Sequence, residues 1–448
     1  MAQETVRLAK YAAGLRYEDI PAEILRRAKD CIADTVAAII CGAALPWSRI
    51  VIDYAGRTGA GGGCHILGSA GSAVTAPAAA LANGALAHAF ELDSLTRPGA
   101  GVHPGATLLP PALAIAQQQA QGGRALITAF IAGCEVMVRI GRATGHTNEQ
   151  RGFHAPGTTG PFGGAVAGGH LLGLDAAGIA NALGIAGSLA SGLLEFARAG
   201  NGGMVKRLHL GRASESGVLA ASLAAGGFTA PDTVLEGRFG FLAVFCREWD
   251  VAELTRGLGQ HWETASIALK RYPCHINAHT AVKALLQLQA EHGFAGAEVE
   301  AVTISGSERM AGLHNIPEPA DLMMAQYSVP FCAALAVYRD PRNPESFAAG
   351  ALDDPEIRAL TRRVTVCAAP SADRHGDAAA TEVTVALKDG TRLSAAAADG
   401  TLAAADLGDK FTRLTRAALG ERSATLFDRL MRLEDEPSLD WLGAAARD

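Results

Sequence analysis

Two carboxylates and two histidines fall within 16 residues in the run His88-Ala-Phe-Glu91-Leu-Asp93-Ser-Leu-Thr-Arg97-Pro-Gly-Ala-Gly101-Val-His103. A histidine beside a carboxylate can be tuned as a general base near neutral pH. The chain is 49% hydrophobic and only 19% charged. Because unpaired charge is costly to bury, these groups must face solvent or a polar pocket. Spacing alone equally allows an exposed loop with a helix-capping Asp. A second cluster, Arg151-Gly-Phe-His154-Ala-Pro, heads a helix of small residues, and a third is Lys206-Arg-Leu-His209-Leu-Gly-Arg212. Converging cations would suit a substrate carrying several carboxylates, though each cluster taken alone also reads as a solvated basic face. His275 and His279 lie four apart at a helix start. That spacing suits zinc, but Asn277 and Ala278 stand where a metalloprotease motif needs its Glu, so substrate binding or capping fits better, with a structural role for one of the two. The run Gly56 to Gly71 contains Gly59-Ala-Gly61, but its sixth position is Cys64 and it lacks a Lys-Ser/Thr ending. It reads as a surface loop and gives no support to a nicotinamide dehydrogenase.

The elements that must position these residues change character along the chain. Up to about residue 265 the apolar spacing is mostly helical, as in 24–44, 106–119, 125–141, 159–172 and 213–225. Small residues recur within these stretches, interleaved with Leu, Ile and Val, which predicts tightly packed helices rather than linkers. After 265 a helix over 278–292 is followed by alternating strands at Val299 to Ser305 and Arg363 to Cys367. A hairpin then turns at Asp389-Gly390 between Glu382–Leu387 and Thr391–Leu393. Polar, Pro-containing connectors run over 340–344 and 369–378, and helix returns from Asp406. The expected fold is mainly α: a large all-helical domain (1–265 plus 403–448) with a smaller α+β lid domain (266–402) inserted before the C-terminal helices.

With 448 residues, a net charge of −6 and no block of like charge, a nucleic-acid partner is not expected. No stretch approaches a membrane span and no secretory leader is read at the N-terminus, so the expected location is cytoplasmic. The eight cysteines contain no Cys-x-x-Cys and read as reduced core thiols rather than as zinc or iron–sulfur ligands.

Taken together, the segments resemble the MmgE/PrpD family, which includes 2-methylcitrate dehydratase, cis-aconitate decarboxylase and iminodisuccinate epimerase. The likeness covers Asn83-Gly-Ala-Leu-Ala-His88, Val102-His103-Pro-Gly, Gly152-Phe-His154 and Lys206-Arg-Leu-His-Leu-Gly. It extends to Gly226-Gly-Phe-Thr-Ala-Pro231, Lys270-Arg-Tyr-Pro-Cys-His275 and Tyr327-Ser-Val-Pro-Phe331. The resemblance implies a helical domain with an α+β lid, a homodimer, no cofactor and no metal. It carries acid/base and carboxylate-binding roles onto Asp93, His103, His154 and Lys206, and adds Tyr272, His275 and His279 as substrate-binding candidates; Glu91 and Arg97, where the chain departs from the family pattern, join them as candidates. The expected reaction begins with proton abstraction α to a carboxylate of a small di- or tricarboxylic acid. A hydro-lyase is favoured, with epimerase or decarboxylase as alternatives on the same scaffold. A metal-dependent hydrolase or a non-catalytic acid-binding protein are the readings from other classes. Where the family commonly has Asp-Phe-Asp-Asp-Thr, this chain reads Glu91-Leu-Asp93-Ser94-Leu95, and Phe331 stands where a Tyr is frequent.

Overall fold

The computed structural model describes residues 3–198, 203–348, 350–369 and 380–446. The connector read at 369–378 lies outside them beyond Ala369. The architecture is mainly α, as expected. Helices Ala76–Ala87, Pro104–Gln118, Gly123–Ala143, Ala155–Leu171, Ala176–Leu189 and Val205–Ala225 pack against one another around a core of small and aliphatic side chains. Their glycines explain the close spacing. A Cβ added at Gly217 would lie 2.6 Å from the Gly164 Cα, so the Ala155–Leu171 and Val205–Ala225 helices touch backbone to backbone. No single helix among the described residues is long and apolar enough to cross a membrane.

The second half builds a four-stranded sheet in the order Val364–Ala368, Val299–Gly306, Thr381–Leu387, Arg392–Ala397. The first pair is parallel (Val302 opposite Val364) and the others antiparallel (Val302 opposite Val385, Val385 opposite Leu393). Helix Ile276–His292 packs on the hairpin strands. Gly390, with φ 93°, supplies the left-handed residue that the Asp-Gly turn requires. The C-terminal helices Leu407–Leu419 and Arg422–Met431 pack back on the N-terminal helix Ala22–Ala43.

One reading of the sequence is corrected. The glycine-rich run 56–71 is not a plain loop: helix Pro46–Thr58 takes in its start, and Ala60–Cys64 is a short strand bridged to Val74. Gly62 permits this, because a Cβ there would overlap the Val74 backbone.

A small ladder matters most for the site. Leu95–Thr96 pairs antiparallel with Ile267–Ala268, and Arg97 N–H donates to Ser266 O at 2.8 Å. This ladder fastens the segment after Asp93 to the chain just before Lys270, some 170 residues later.

Candidate active site

Several elements begin at the site. His103, His154 and His275 each stand at the N-cap of a helix, the first two followed by Pro104 and Pro156 in the opening turn. Proline at the start of a helix needs no N–H partner and holds the preceding residue extended. His275 instead caps its helix with the imidazole, Nδ1 accepting from Asn277 N–H at 3.3 Å. Lys206 lies one residue inside the Val205–Ala225 helix. Gly101, left-handed at φ 63°, has no room for a side chain, since a Cβ would sit 2.7 Å from Ala155 Cβ. The loop leading to His103 is thereby pressed onto the helix that follows His154.

Asp93 is fully buried and is the hub. Its Oδ1 accepts from His88 Nδ1 at 2.8 Å, and its Oδ2 from His103 Nδ1 at 2.7 Å. Burial alone would raise its carboxyl, but the charges and hydrogen bonds of His88 and His103 hold it well below the usual carboxylate range. An ionised Asp93 only accepts, so both Nδ1 atoms carry protons, and Nε2 is the atom through which either ring can gain or lose one. His103 retains 18% side-chain exposure, whereas His88 has none and its Nε2 is buried without a hydrogen-bond partner. Burial pushes the His88 imidazole down to about 4. The atoms of His88, Asp93 and His103 lie within 4.8 Å of one another, close enough to gather round a cation. Their 2.7 and 2.8 Å separations are those of N–H···O bonds, and an ion would have to displace both protons.

Next to this dyad stands Glu91, 2% exposed and left-handed at φ 57°, a conformation costing a non-glycine residue about 1–3 kcal/mol and often kept at functional sites. Lys206 Nζ bonds its Oε1, and Lys270 Nζ donates to its Oε2 at 3.0 Å. Desolvation works against ionisation here, but the two ammonium groups keep the Glu91 carboxyl well below its ordinary value. Burial lowers Lys206 while Glu91 opposes the fall.

On one side, His154 Nδ1 lies 3.1 Å from His209 Nδ1, and the His88 and His154 ring centroids are 6.4 Å apart. Burial, reinforced by Lys206 and the neighbouring imidazoles, keeps His154 neutral by pushing its pKa well down. On the other side, the Lys206 Nζ sits 4.6 Å from the centre of the Tyr327 ring. Tyr327 in turn packs on His275 at 4.8 Å, and His275 stacks on His314 at 4.0 Å.

The structure thus brings Asp93, His103, His154, Lys206, Glu91 and His275 together. It does not bring in the other three candidates. His279 is buried with Nδ1 and Nε2 each 3.3 Å from a backbone carbonyl, Gly400 O and Cys274 O, so it neither reaches the group nor pairs with His275 on a metal. Because His275 is the extended cap rather than a helical residue, the four-residue spacing does not place the two rings on one helix face. Tyr272 packs its ring on His279 at 5.1 Å and lines a surface cleft of ≈ 490 Å³ with Arg271 and Arg339. Arg97 is half-buried, and its charge helps hydrogen bonds from Thr401 lower Asp399 against partial desolvation. Phe331 is a core residue packed on Phe347 at 6.4 Å, and the tyrosine whose ring meets the site is Tyr327.

The model of the MmgE/PrpD N-terminal domain matches residues 6–254, and that of the C-terminal domain matches 272–433. The chain belongs to the MmgE/PrpD family. It is 31% identical to the cis-aconitate decarboxylase of Aspergillus terreus over 87% of this chain and 84% of that one. A cis-aconitate decarboxylase-like protein of Aspergillus oryzae is 27% identical over 96% and 93% of the two chains, and the human cis-aconitate decarboxylase 26% over 85% and 80%. These MmgE/PrpD relatives are enzymes of carboxylic-acid chemistry.

Three site residues were not singled out as candidates from the sequence, Lys270, Tyr327 and His314, while His88 was read only as one of two histidines beside carboxylates. Lys270 and Tyr327 lie inside the family segments, so the signal was present without a role. His314 lies outside every such segment, and only its stacking on His275 reveals it.

Proposed function

We propose that the chain is a cofactor-independent lyase acting beside a carboxylate of a small di- or tricarboxylic acid, with loss of CO2 from a cis-aconitate-like acid as its leading reaction. The observation that carries this is the His103–Asp93 dyad standing next to the Lys206–Lys270 pair. In the decarboxylation, the C–C bond to the departing carboxylate breaks and its electron pair is delocalised into a remaining carboxylate. Lys206 and Lys270 neutralise that developing charge, which is commonly the largest catalytic contribution. A protonated His103, its imidazolium stabilised by Asp93, then delivers the proton to carbon and is left neutral.

Dehydration is the second reading. It is favoured by a buried ammonium in the same group, Lys206, whose desolvation makes it the readier proton donor. Neutral His103 would take the α-proton, the enediolate would expel a β-hydroxyl, and that leaving group would depart as water with a proton from Lys206 Nζ. Epimerisation would need the proton returned to the opposite face by that same donor. A homodimer is the assembly we propose.

Proton NMR in D2O with cis-aconitate, 2-methylcitrate and iminodisuccinate tests the reading. Loss of CO2 with one deuterium placed on carbon is the expected result. A new alkene from 2-methylcitrate would make dehydration the leading reaction. No exchange and no product with any of the acids would sink the proposal.

A further inference from the structure

Glu91 sits in the site as no substrate-binding carboxylate should. A carboxylate facing a pocket that takes carboxylic acids repels its ligand unless its own charge is already spent. Here it is spent twice. Oε1 is taken by Lys206 and Oε2 by Lys270, the carboxyl group is 2% exposed, and the residue accepts a left-handed backbone to stand there. The two lysines reach it from unconnected places, one from the first turn of the Val205–Ala225 helix and one from just beyond the Ile267–Ala268 strand.

We propose that Glu91 is a positioning residue: a fixed internal counter-ion that holds the Lys206 and Lys270 ammonium groups side by side and charged, and that does not itself touch the substrate. The inference rests on the reading of this site as one that handles carboxylic acids, and reassigns Glu91 from substrate binding to the support of the groups that bind. Two ammonium groups that share one carboxylate stand close and repel each other. Both lysines are buried, which disfavours charge on either. The acids near Lys206 are Glu91 and Asp93, and the nearby cations are Lys270 and Arg207. His88, His154 and His209 face it from one side, His275, His314 and Tyr327 from the other. Asp93 gives both its oxygens to histidines and stands 4.0 Å from Lys270 Nζ, so Glu91 is the acid that hydrogen-bonds the lysine pair directly.

The test compares wild type with Glu91→Gln and Glu91→Asp, using full-length protein labelled with ¹³C at lysine Cε. Lys206→Arg and Lys270→Arg assign the two signals, and a melting curve checks each fold. Glu91→Gln should lower the titration midpoint of Lys206 by about one pH unit or more. Turnover of the acid should fall about 10²-fold above the new midpoint and recover below it. Glu91→Asp, which keeps the charge, should retain midpoints near those of wild type and serves as the folded variant should the Gln form not fold. Midpoints unchanged in a folded Glu91→Gln would overturn the proposal. So would a Glu91→Asp midpoint as low as that expected for Glu91→Gln, because charge would then not be what matters. The lysine midpoints are read without substrate, so they stand even if every acid offered proves inert.

Discussion

Two buried ion pairs in this chain share their chemistry and differ in finish. Glu135 and Arg139 are both fully buried, four residues apart on one helix, and paired at 2.7 Å. The Glu135 carboxylate also accepts from Glu263 N–H at 3.0 Å, and from Thr264 N–H and Oγ1 at 2.8 Å each. Arg139 donates onward to His261 O at 2.7 Å. That carboxylate is closed, and its bonds stitch the Gly123–Ala143 helix to the 261–264 segment. The Glu91–Lys206–Lys270 group is just as buried, yet Glu91 stands on a left-handed backbone, and His88 Nε2, 3.5 Å from Glu91 Oε1, makes no hydrogen bond. Both groups keep a buried nitrogen without a hydrogen-bond partner, Arg139 Nε and His88 Nε2, so backbone strain sets them apart: Glu135 sits in a regular helix, whereas strain like that at Glu91 is commonly kept where a ligand is handled.

The sharpest way to break this contrast is to remove one residue of the site beside Glu91 and one of the Glu135–Arg139 pair. His103→Ala should lower turnover of the acid by about 10²–10⁴-fold while the melting temperature stays within a few degrees, because Asp93 keeps its bond to His88. Steady-state kinetics and a melting curve on one preparation read both. Glu135→Ala should do the reverse. It strands a buried guanidinium and should cost about 3–5 kcal/mol in urea unfolding, with turnover of the folded fraction within about twofold of wild type.

Acid sharpens the comparison further. His88 and His314 are each pushed down to about 4 by burial, from an unfolded value of 6.5. The unfolded chain therefore binds more protons below 6.5, and stability must fall as the pH drops from 6.5 towards 4. Each ring contributes up to about 1.4 kcal/mol per pH unit. Urea midpoints at pH 7, 6 and 5 should decline, and His314→Phe should flatten the decline by one proton. A flat series would mean that these rings are not held neutral. The smallest effect belongs to the residues outside the group: Tyr272→Phe and His279→Gln should leave turnover within about twofold, measured with the same acid.

Much of this was legible in the sequence, and the boundary of legibility is physical. Helical periodicity and the Asp-Gly hairpin placed the elements because those signals are local. Asp93 and His103 were legible as a pair because ten residues separate them. His154 and Lys206 were marked by a proline-headed helix and a cationic run. Lys270 was not assigned, because its place beside Glu91 depends on the Leu95–Thr96 ladder with Ile267–Ala268, a long-range pairing without local signature. Tyr272 and His279 were over-read for the complementary reason. They share a short segment with His275, but that residue is a helix cap, and a cap and the helix it starts point their side chains in different directions.

The central claim is that His103, oriented by Asp93, moves a proton at carbon. Deuterium incorporation from D2O into the carbon next to a carboxylate, followed by NMR for wild type and His103→Ala side by side, tests it most directly. Incorporation by wild type that falls at least about 10²-fold in the variant is the result this account predicts. Equal incorporation by the two proteins would contradict it.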